Sequence, residues 1–408
     1  MRSVSIRGAE GAGTAAMLLC LATPLAMLVS RGIAPLALTL ITALLVAGLV
    51  TRPGPARLAG GLAPPSTRGL DAAAVAFLGL ICVRLLTDRM GGGPDRLAML
   101  LTFSGSLVLL LLAARVPIEI RNGSRWFGAA LAGTILLATL LITVEIRSAG
   151  ALKRAAGISP DLFRMNRTAV MLALLLPVLA LPALPALRPR LALRMLAILA
   201  AAIGIFHSQS ESAKLALLVV LAVLGLGLRF PRPVFRLVAG AALAGTLLMP
   251  LIAPNILAVI PHAVQEAVGY GSLTIRGEIW REFGVLFWQH PLVGQGFDAS
   301  SWVAGTPAAA MLDPARRALL AWGHPHNIVL QVWFEFGLFG GLALALLLGA
   351  VLRRIGRLPD AVLPAATAIF AGAYVVSAVS HGAWQEWWWC LLGIVVLLFR
   401  AGAAQRPA

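Results

Sequence analysis

The sequence predicts an all-α membrane protein with about twelve transmembrane helices and one large loop between helices nine and ten. Of its 408 residues, 60% are hydrophobic and only 12% are charged, whereas soluble domains carry about 25% charged residues. The mean hydropathy is +0.91. Apolar runs long enough to cross a hydrocarbon core of about 30 Å recur along almost the whole chain. Because these runs are continuous rather than alternating, they favour helices over a β-barrel.

Taken in order, the apolar runs give the predicted spans. They cover residues 13–29, 33–50, 70–86, 97–114, 126–144, 168–187, 191–206, 215–228, 237–253, 327–351, 361–380 and 387–399. The basic N-terminus resembles a signal peptide, but a second span follows at once and no small-x-small cleavage site is clear. The first run is therefore interpreted as an uncleaved span. The Pro/Gly-rich stretch 51–69 is interpreted as a connector.

The distribution of basic residues predicts the orientation of these spans. With the N-terminus inside, the cytoplasmic segments hold 19 of the 33 basic residues but only four of the 16 acidic residues. This positive-inside bias predicts that both termini are cytoplasmic. The net charge of +17 does not indicate nucleic-acid binding, because the arginines are scattered between apolar runs and form no contiguous basic face. All three cysteines lie inside apolar runs, so no disulfide or zinc site is expected.

One connection, residues 254–326, is much longer than the others and is predicted to lie on the outer face. Its residues 256–270 and 274–289 have apolar positions at helical spacing, which predicts two amphipathic helices. Long loops are usually functional. The chain is therefore divided into the first nine spans (1–253), this loop with part of the active site (254–326), and the last three spans (327–408).

The second loop helix carries the first candidate residues. Arg276 and Trp280 are four residues apart and share a helix face. Arginine suits phosphate oxygens because its guanidinium is planar, bidentate and permanently charged. The alternative is a solvated helix face, an alternative that fits Arg281 better because Glu278 and Glu282 are close enough to pair with it.

The second candidate group opens the tenth span. His324 and His326 flank a proline that suits the first turn of a helix, and the positive end of the helix dipole favours a neutral imidazole at His326. Neutral imidazole is what a general base requires. The polar residues Asn327, Gln331 and Glu335 follow at four-residue spacing, and intramembrane carboxylates are usually functional. The alternatives are a capping histidine and a helix–helix hydrogen bond at Glu335; a metal pair lacks a third ligand.

Other outer-face polar segments are weaker candidates. Residues 207–214 contain Lys214 at the start of a span, and residues 161–167 contain Arg164 and Arg167. Each also fits an ordinary polar loop or a salt bridge. The tryptophan-rich stretch 384–389 fits an interfacial aromatic belt or a sugar-stacking platform. The chain has no P-loop, dinucleotide motif or Asp-x-Asp, so motors and nucleotide-sugar transferases are disfavoured.

Together these residues carry a family resemblance. The motifs are Arg276-x-x-x-Trp280, His290-Pro-Leu-Val-Gly294-x-Gly296, His324-x-His326-Asn327-x-x-Leu330-Gln331-x-x-x-Glu335-x-Gly337, and the Ser-Gln-Ser segment at 208–210. In these motifs the chain resembles the O-antigen ligase and polymerase family of bacterial inner-membrane proteins.

The resemblance implies a transferase that takes a glycan from a polyprenyl-diphosphate donor on the periplasmic face, without metal or cofactor. By analogy His326 would be the base and Arg276 would hold the diphosphate. Where family members often carry an arginine near span eight, this chain has Glu211 and Lys214. Lys214 is therefore the candidate for the second phosphate contact, with Arg164 or Arg167 as alternatives.

Two classes of function remain open at the level of sequence. A polymerase would join repeat units on one carrier, whereas a ligase would move glycan to an acceptor such as lipid A–core; the short chain and the Ser-Gln-Ser segment slightly favour a polymerase. The alternative is a transporter or flippase for a lipid-linked or anionic substrate. Transporters often have two related halves and broken helices, neither of which the sequence indicates, and its polar residues cluster at one face.

Overall fold

A computed structural model describes residues 2–50, 68–87, 95–116, 118, 120, 123–181, 188–268 and 273–404. Throughout these residues the regular secondary structure is helical, and they contain no strand. The all-α prediction is therefore confirmed. The predicted connector 51–69 lies almost entirely outside the described residues.

The helices are numbered here in chain order. They are α1 (Arg2–Ala26), α2 (Ile33–Val50), α3 (Arg68–Thr87), α4 (Asp95–Ala113), α5 (Gly123–Arg147), α6 (Ala151–Ala155), α7 (Met165–Leu179), α8 (Arg188–His207), α9 (Glu211–Arg229), α10 (Pro231–Leu247), α11 (Met249–Ile252), α12 (Ile256–Val259), α13 (His262–Val268), α14 (Ile275–Phe287), α15 (Ala299–Trp302), α16 (Pro307–Ala310), α17 (Pro314–Leu320), α18 (Ile328–Ile355), α19 (Leu363–Val379) and α20 (Glu386–Ala403).

Every predicted apolar run overlaps a helix, but not every helix is long enough to span a bilayer. In the described residues seven helices are long and apolar enough, or eight if α10 and the bent segment Met249–Val259, which turn through 69°, form one span. The other predicted runs coincide with four shorter apolar helices of 10–17 residues. By length and composition the described part of the chain therefore holds seven or eight candidate spans.

Helix α7 is the centre of the bundle. All its residues except Asn166 and Arg167 are buried, and it packs against α5, α8, α9, α19 and α20. A helix that is apolar on every side is expected in such a central place. The helix ends at Leu179, earlier than the predicted residue 187.

Leucines on the outside of the bundle face away from the protein. Leu86, Leu199, Leu237 and Leu346 are between 60% and 85% exposed. In water such side chains would be costly to leave uncovered, at about 25 cal/mol per Å² of apolar surface. Their exposure fits a chain whose helices are surrounded by lipid.

The long loop has a small core of its own. Ile279, Phe283 and Phe287 of α14 pack with Leu330 and Phe334 of α18 in a second apolar cluster, separate from that of the bundle. The predicted helix 274–289 is confirmed as α14. The predicted helix 256–270 is instead divided into α12 and α13, because a residue before proline, here at position 260, is driven out of the helical conformation.

Helix α18 is broken at Gly337, whose φ of 61° and ψ of −150° are open essentially to glycine alone. The segment 291–296 fills the break. Two of its backbone N–H groups donate to the carbonyls of Phe334 and Glu335, both at 2.9 Å, and the N–H of Leu338 donates back to the segment at 2.8 Å. The backbone groups freed by the break are thus satisfied within the protein.

This break corrects the expectation that the chain has no broken helix. In transporters, half-helix ends line a substrate cavity. Here the freed carbonyls accept hydrogen bonds from the segment 291–296. Arg84 of α3 also donates to this segment, at the carbonyl of Gly294, at 3.4 Å. The glycines of the Gly294-x-Gly296 and Gly337 motifs therefore lie where the backbones of the loop and α18 meet.

Candidate functional site

A tight turn between the loop and α18 places the two predicted histidines side by side. Gly323 and His326 adopt left-handed backbone conformations, with φ of 78° and 52°, and Asn327 caps α18 with its side-chain oxygen. The indole N–H of Trp280 donates to the carbonyl of Pro325 at 2.7 Å. A left-handed conformation at a non-glycine residue is strained, and such strain is frequent at functional sites.

The ring of His326 is held in one tautomer. Its Nδ1 lies 3.1 Å from the backbone carbonyl of Ser380. A carbonyl only accepts, so Nδ1 carries the proton and Nε2 has the free lone pair. Burial lowers the pKa of His326; the Ser380 carbonyl acts in the opposite direction, and the charge of Arg276 lowers the pKa further. The half-buried imidazole is thus neutral and able to accept a proton at Nε2.

His324 fixes the backbone of its neighbour. Its Nδ1 accepts a hydrogen bond from the backbone N–H of His326 at 3.1 Å, and its Nε2 lies 3.3 Å from the side-chain amide of Gln385. The two imidazole centroids are 4.2 Å apart. Burial, with a smaller effect of His326, lowers the pKa of His324 to about 4. These contacts give His324 a positioning role, and its predicted contact with substrate stays a prediction.

Gln331 and Glu335 connect α18 to the segment 380–385. The amide oxygen of Gln331 accepts from the backbone N–H of Ala383 at 2.8 Å, and its amide nitrogen donates to Glu335 at 2.9 Å. Glu335 is fully buried and accepts from the indole of Trp384 at 2.9 Å. The Ser380 carbonyl that contacts the His326 ring and the Gln385 amide that contacts His324 both belong to this segment. Gln331 and Glu335 therefore hold in place the segment that orients the two histidines.

Glu335 also reaches back to the loop. Its carboxylate accepts from the backbone N–H of Asp298 at 2.8 Å and from the hydroxyl of Ser300. With four donors around it, this carboxylate matches the helix-contact alternative considered for it from the sequence. Its predicted contact with substrate stays a prediction, as does that of Gln331.

Replacing Glu335 with leucine should lower the free energy of unfolding by about 3 kcal/mol or more, because buried donors would lose their acceptor. Glu335→Gln, which keeps one oxygen, should cost less. A matched control is Tyr374→Phe, which removes a single hydrogen bond of 3.1 Å to Thr246. Thermal unfolding in detergent would measure the order; a Glu335→Leu protein as stable as the Tyr374→Phe protein would contradict this role.

Arg276 lies in the first turn of α14, one turn before Trp280, and is half-buried. Burial lowers the pKa of its guanidinium, and the nearby carboxylate of Glu211 acts in the opposite direction. The charge of Arg276 also lowers the pKa of His326, so the predicted diphosphate ligand lies near enough to the predicted base to affect its protonation. Trp280 itself is buried and bonded to the histidine turn, so it contributes to that arrangement as a support.

A third histidine, which sequence reasoning missed, lies in the same place. His381 is buried, with its ring centroid 4.7 Å from those of both Trp387 and Trp388. Burial lowers its pKa to about 3, and the further causes are the neighbouring groups His324, His326, Arg167 and Arg276. No local sequence motif marks His381 as a site residue. It follows α19, far along the chain from the loop, and comes close to the other histidines only in the folded protein.

The remaining predicted cations differ in their surroundings. Arg167 lies over the ring of Trp387, with its guanidinium carbon 5.2 Å from the ring centroid, and belongs to the cluster around His381. Lys214 makes a 2.7 Å ion pair with Glu211. The side chain of Arg164 lies outside the described residues. Arg281 pairs with Glu282, with its Nε 3.3 Å from the carboxylate, as the sequence alternative expected.

The tryptophan-rich stretch 384–389 does not form an open platform. Trp384, Trp387 and Trp388 are 6%, 2% and 0% exposed. Both alternatives considered for it, the interfacial belt and the sugar platform, are therefore wrong for these three rings. In the described residues no group of three or more His, Cys, Asp or Glu side chains could hold a metal ion.

Comparison with known proteins is consistent with these motifs. Residues 196–345 match the family model described as O-antigen ligase. A protein of Rickettsia felis, provisionally named a polysaccharide ligase, is 26% identical over 294 residues, which cover 71% of each chain. A similarly named protein of Rickettsia conorii is also 26% identical over 294 residues, covering 71% of this chain and 70% of its own. One from Rickettsia typhi is 30% identical over 168 residues, or 40% of each chain.

The matched region begins in α8 and ends in α18, so it includes Lys214, Arg276, the histidine turn and the broken helix. The same motifs carry the resemblance seen in the sequence. Over residues 196–345 the chain is therefore similar to the O-antigen ligase family.

Proposed function

We propose that the protein transfers a glycan from a polyprenyl-diphosphate carrier to an acceptor hydroxyl, with His326 as the general base and Arg276 as a diphosphate ligand. The observation that carries this proposal is the imidazole of His326, whose Nδ1 is held by the Ser380 carbonyl and whose pKa is lowered by burial and by the charge of Arg276. A base and a cation in one place meet the two chemical needs of this reaction.

The proposed step balances as a single displacement. The acceptor oxygen attacks the anomeric carbon of the donor sugar, and the bond from that carbon to the diphosphate oxygen breaks. The acceptor proton passes to Nε2 of His326, and polyprenyl diphosphate leaves with its electron pair. Attack opposite to the leaving group inverts the anomeric centre. Cations stabilise the charge that develops on the leaving diphosphate, so a proton-donating acid is not required.

For the second phosphate contact the surroundings favour Arg167 over Lys214. The charges of Arg167 and Arg276 both lower the pKa of His381, which supports a position near the same ring for both arginines. Lys214 makes a 2.7 Å ion pair with Glu211. The diphosphate would therefore lie between Arg167 and Arg276, next to Nε2 of His326.

The proposal includes the membrane arrangement predicted from charge and hydropathy. Twelve spans would carry both termini in the cytoplasm of a bacterium, with the histidine turn at the periplasmic face of the inner membrane. Spans one to nine would occupy residues 1–253, the periplasmic loop 254–326 and spans ten to twelve 327–408. The donor's lipid tail would then reach the site laterally from the outer leaflet of the bilayer.

The comparisons favour one of the two acceptor classes. The Rickettsia relatives are named as ligases, which favours transfer to a distinct acceptor such as lipid A–core over the polymerase that the sequence slightly favours. The products separate these two reactions, because a polymerase lengthens the carrier-linked chain whereas a ligase moves it to a new molecule.

Purified protein supplied with a polyprenyl-diphosphate glycan and acceptor tests the proposal. We expect free polyprenyl diphosphate with the wild type and about 10²–10³-fold slower release with Arg276→Ala, because one charge contact to the leaving group is lost. Arg281→Ala is a matched control: it removes the same charge from the same helix, from a side chain paired with Glu282.

Two outcomes would contradict the proposal. A transporter or flippase would leave the sugar–diphosphate bond intact, so wild-type protein would release no free polyprenyl diphosphate. Equal release by the Arg276→Ala and Arg281→Ala proteins would remove Arg276 from the diphosphate site.

A further inference from the structure

Trp322 is an exposed tryptophan beside the proposed base. Its ring centroid lies 5.7 Å from that of His326 at an interplanar angle of 70°, and its side chain is 55% exposed. This edge-to-face arrangement covers at most one face of the indole. A large apolar ring therefore stands open next to the imidazole.

The other tryptophans do not offer such a surface near His326. Of the ten in the chain, only Trp288 and Trp322 are exposed. Trp288 lies at the end of α14, where its ring packs edge-on against Phe287 with centroids 5.0 Å apart. The tryptophans of the segment 384–389 are buried or half-buried.

Trp322 is held close to the base by the same turn that sets His326. Gly323, between them, has a φ of 78°, and the carbonyl of Pro325 accepts the indole N–H of Trp280 at 2.7 Å. The backbone between Trp322 and His326 is thus fixed at two positions. Nδ1 of His326 is bonded to Ser380 and its ring lies against His324, so neither of these positions is open to an acceptor, whereas Trp322 is exposed.

We propose that Trp322 is the stacking platform for the acceptor sugar, and this proposal rests on the proposed function. A pyranose ring has an apolar face of C–H groups, which packs on an aromatic face while its hydroxyls stay free to hydrogen-bond. Stacking on Trp322 would hold one acceptor hydroxyl within reach of Nε2 of His326. The acceptor class would then be a pyranose-terminated glycan.

The test is steady-state kinetics of the full-length protein at saturating polyprenyl-diphosphate glycan. Two acceptor probes, lipid A–core and a second carrier-linked glycan, are each varied in concentration. We expect Trp322→Ala to raise the acceptor KM roughly tenfold and to leave the donor KM unchanged. Trp322→Phe, which keeps an aromatic face, should fall between Trp322→Ala and the wild type.

Trp288→Ala is the matched control, because its ring is 54% exposed and belongs to the same loop. An unchanged acceptor KM in Trp322→Ala, or an equal change in Trp288→Ala, would overturn the platform and indicate a membrane-interface anchor instead. So would an equal rise in the donor KM. The proposed function fails separately, if wild-type protein releases no polyprenyl diphosphate with either acceptor.

Discussion

Replacing His326 with alanine should lower turnover by about 10²–10⁴-fold, the usual contribution of a positioned general base. The acceptor hydroxyl would lose the group that takes its proton, whereas Arg276 would still hold the donor. We therefore expect the donor KM to change little. Initial rates of polyprenyl diphosphate release, at several donor concentrations, measure both quantities.

Wild-type turnover should decrease at acidic pH, where His326 becomes protonated. The active form of His326 is the neutral one, which predominates above its pKa. Burial lowers that pKa below the ordinary value of 6.5. Turnover should therefore persist as the pH falls to 6.5 and decline only at lower pH, with a slope of one proton.

His290→Ala is a control for this prediction, since His290 is an exposed histidine of the same loop. It should keep wild-type turnover and the wild-type pH profile. Turnover by His326→Ala within a factor of about three of the wild type would exclude a base at this position. An acid limb centred well above 6.5 would show that His326 is not the titrating group.

The helices were accessible to sequence reasoning because a bilayer imposes a simple rule on composition. Each long apolar run overlaps a helix, since an unpaired backbone group in hydrocarbon costs several kcal/mol. This requirement for paired backbone groups predicts that a helix exists but says little about where the helix ends. The run 168–187 is long enough for one span, yet α7 ends at Leu179, because hydropathy records which residues are apolar and not where a helix ends.

The site was predictable where its residues are close in the chain. Arg276 and Trp280 share one helix, and His324 and His326 share one turn, so spacing alone placed each pair. The partners across the fold were not predictable. The Ser380 carbonyl that fixes the tautomer of His326 is a backbone group 54 residues further along the chain, and no side-chain pattern marks it.

The polar residues of α18 left two interpretations open from the sequence, a binding site and a buried polar network. Gln331 and Glu335 share a polar stripe with the site, and an intramembrane carboxylate suggests function. Glu335 accepts hydrogen bonds from two other parts of the chain, the loop at Asp298 and Ser300 and the segment at Trp384, and its contact with substrate stays a prediction. A buried polar network and a binding site look alike in a single sequence, and only the contacts distinguish them.

Gly337→Ala should prevent correct folding of the loop against α18. A methyl group at this position would stand 2.4 Å from the backbone of Leu292, and the φ of 61° is itself unfavourable for alanine. The segment 291–296 would have to move away and lose four backbone hydrogen bonds to α18, each worth about 0.5–1.5 kcal/mol. With the strain added, we expect a loss of about 4–7 kcal/mol.

Gly349→Ala, in the same helix, is the matched control. A methyl group there would meet only the guanidinium of Arg353 at 3.7 Å, so this change should be neutral or slightly stabilising, since alanine favours helix. Yield in detergent, thermal unfolding and protease cleavage of the loop would compare the two proteins. If Gly337→Ala folded as well as Gly349→Ala, α18 would be continuous in the native protein, and the packing that places Glu335 beneath the histidine turn would have to be different.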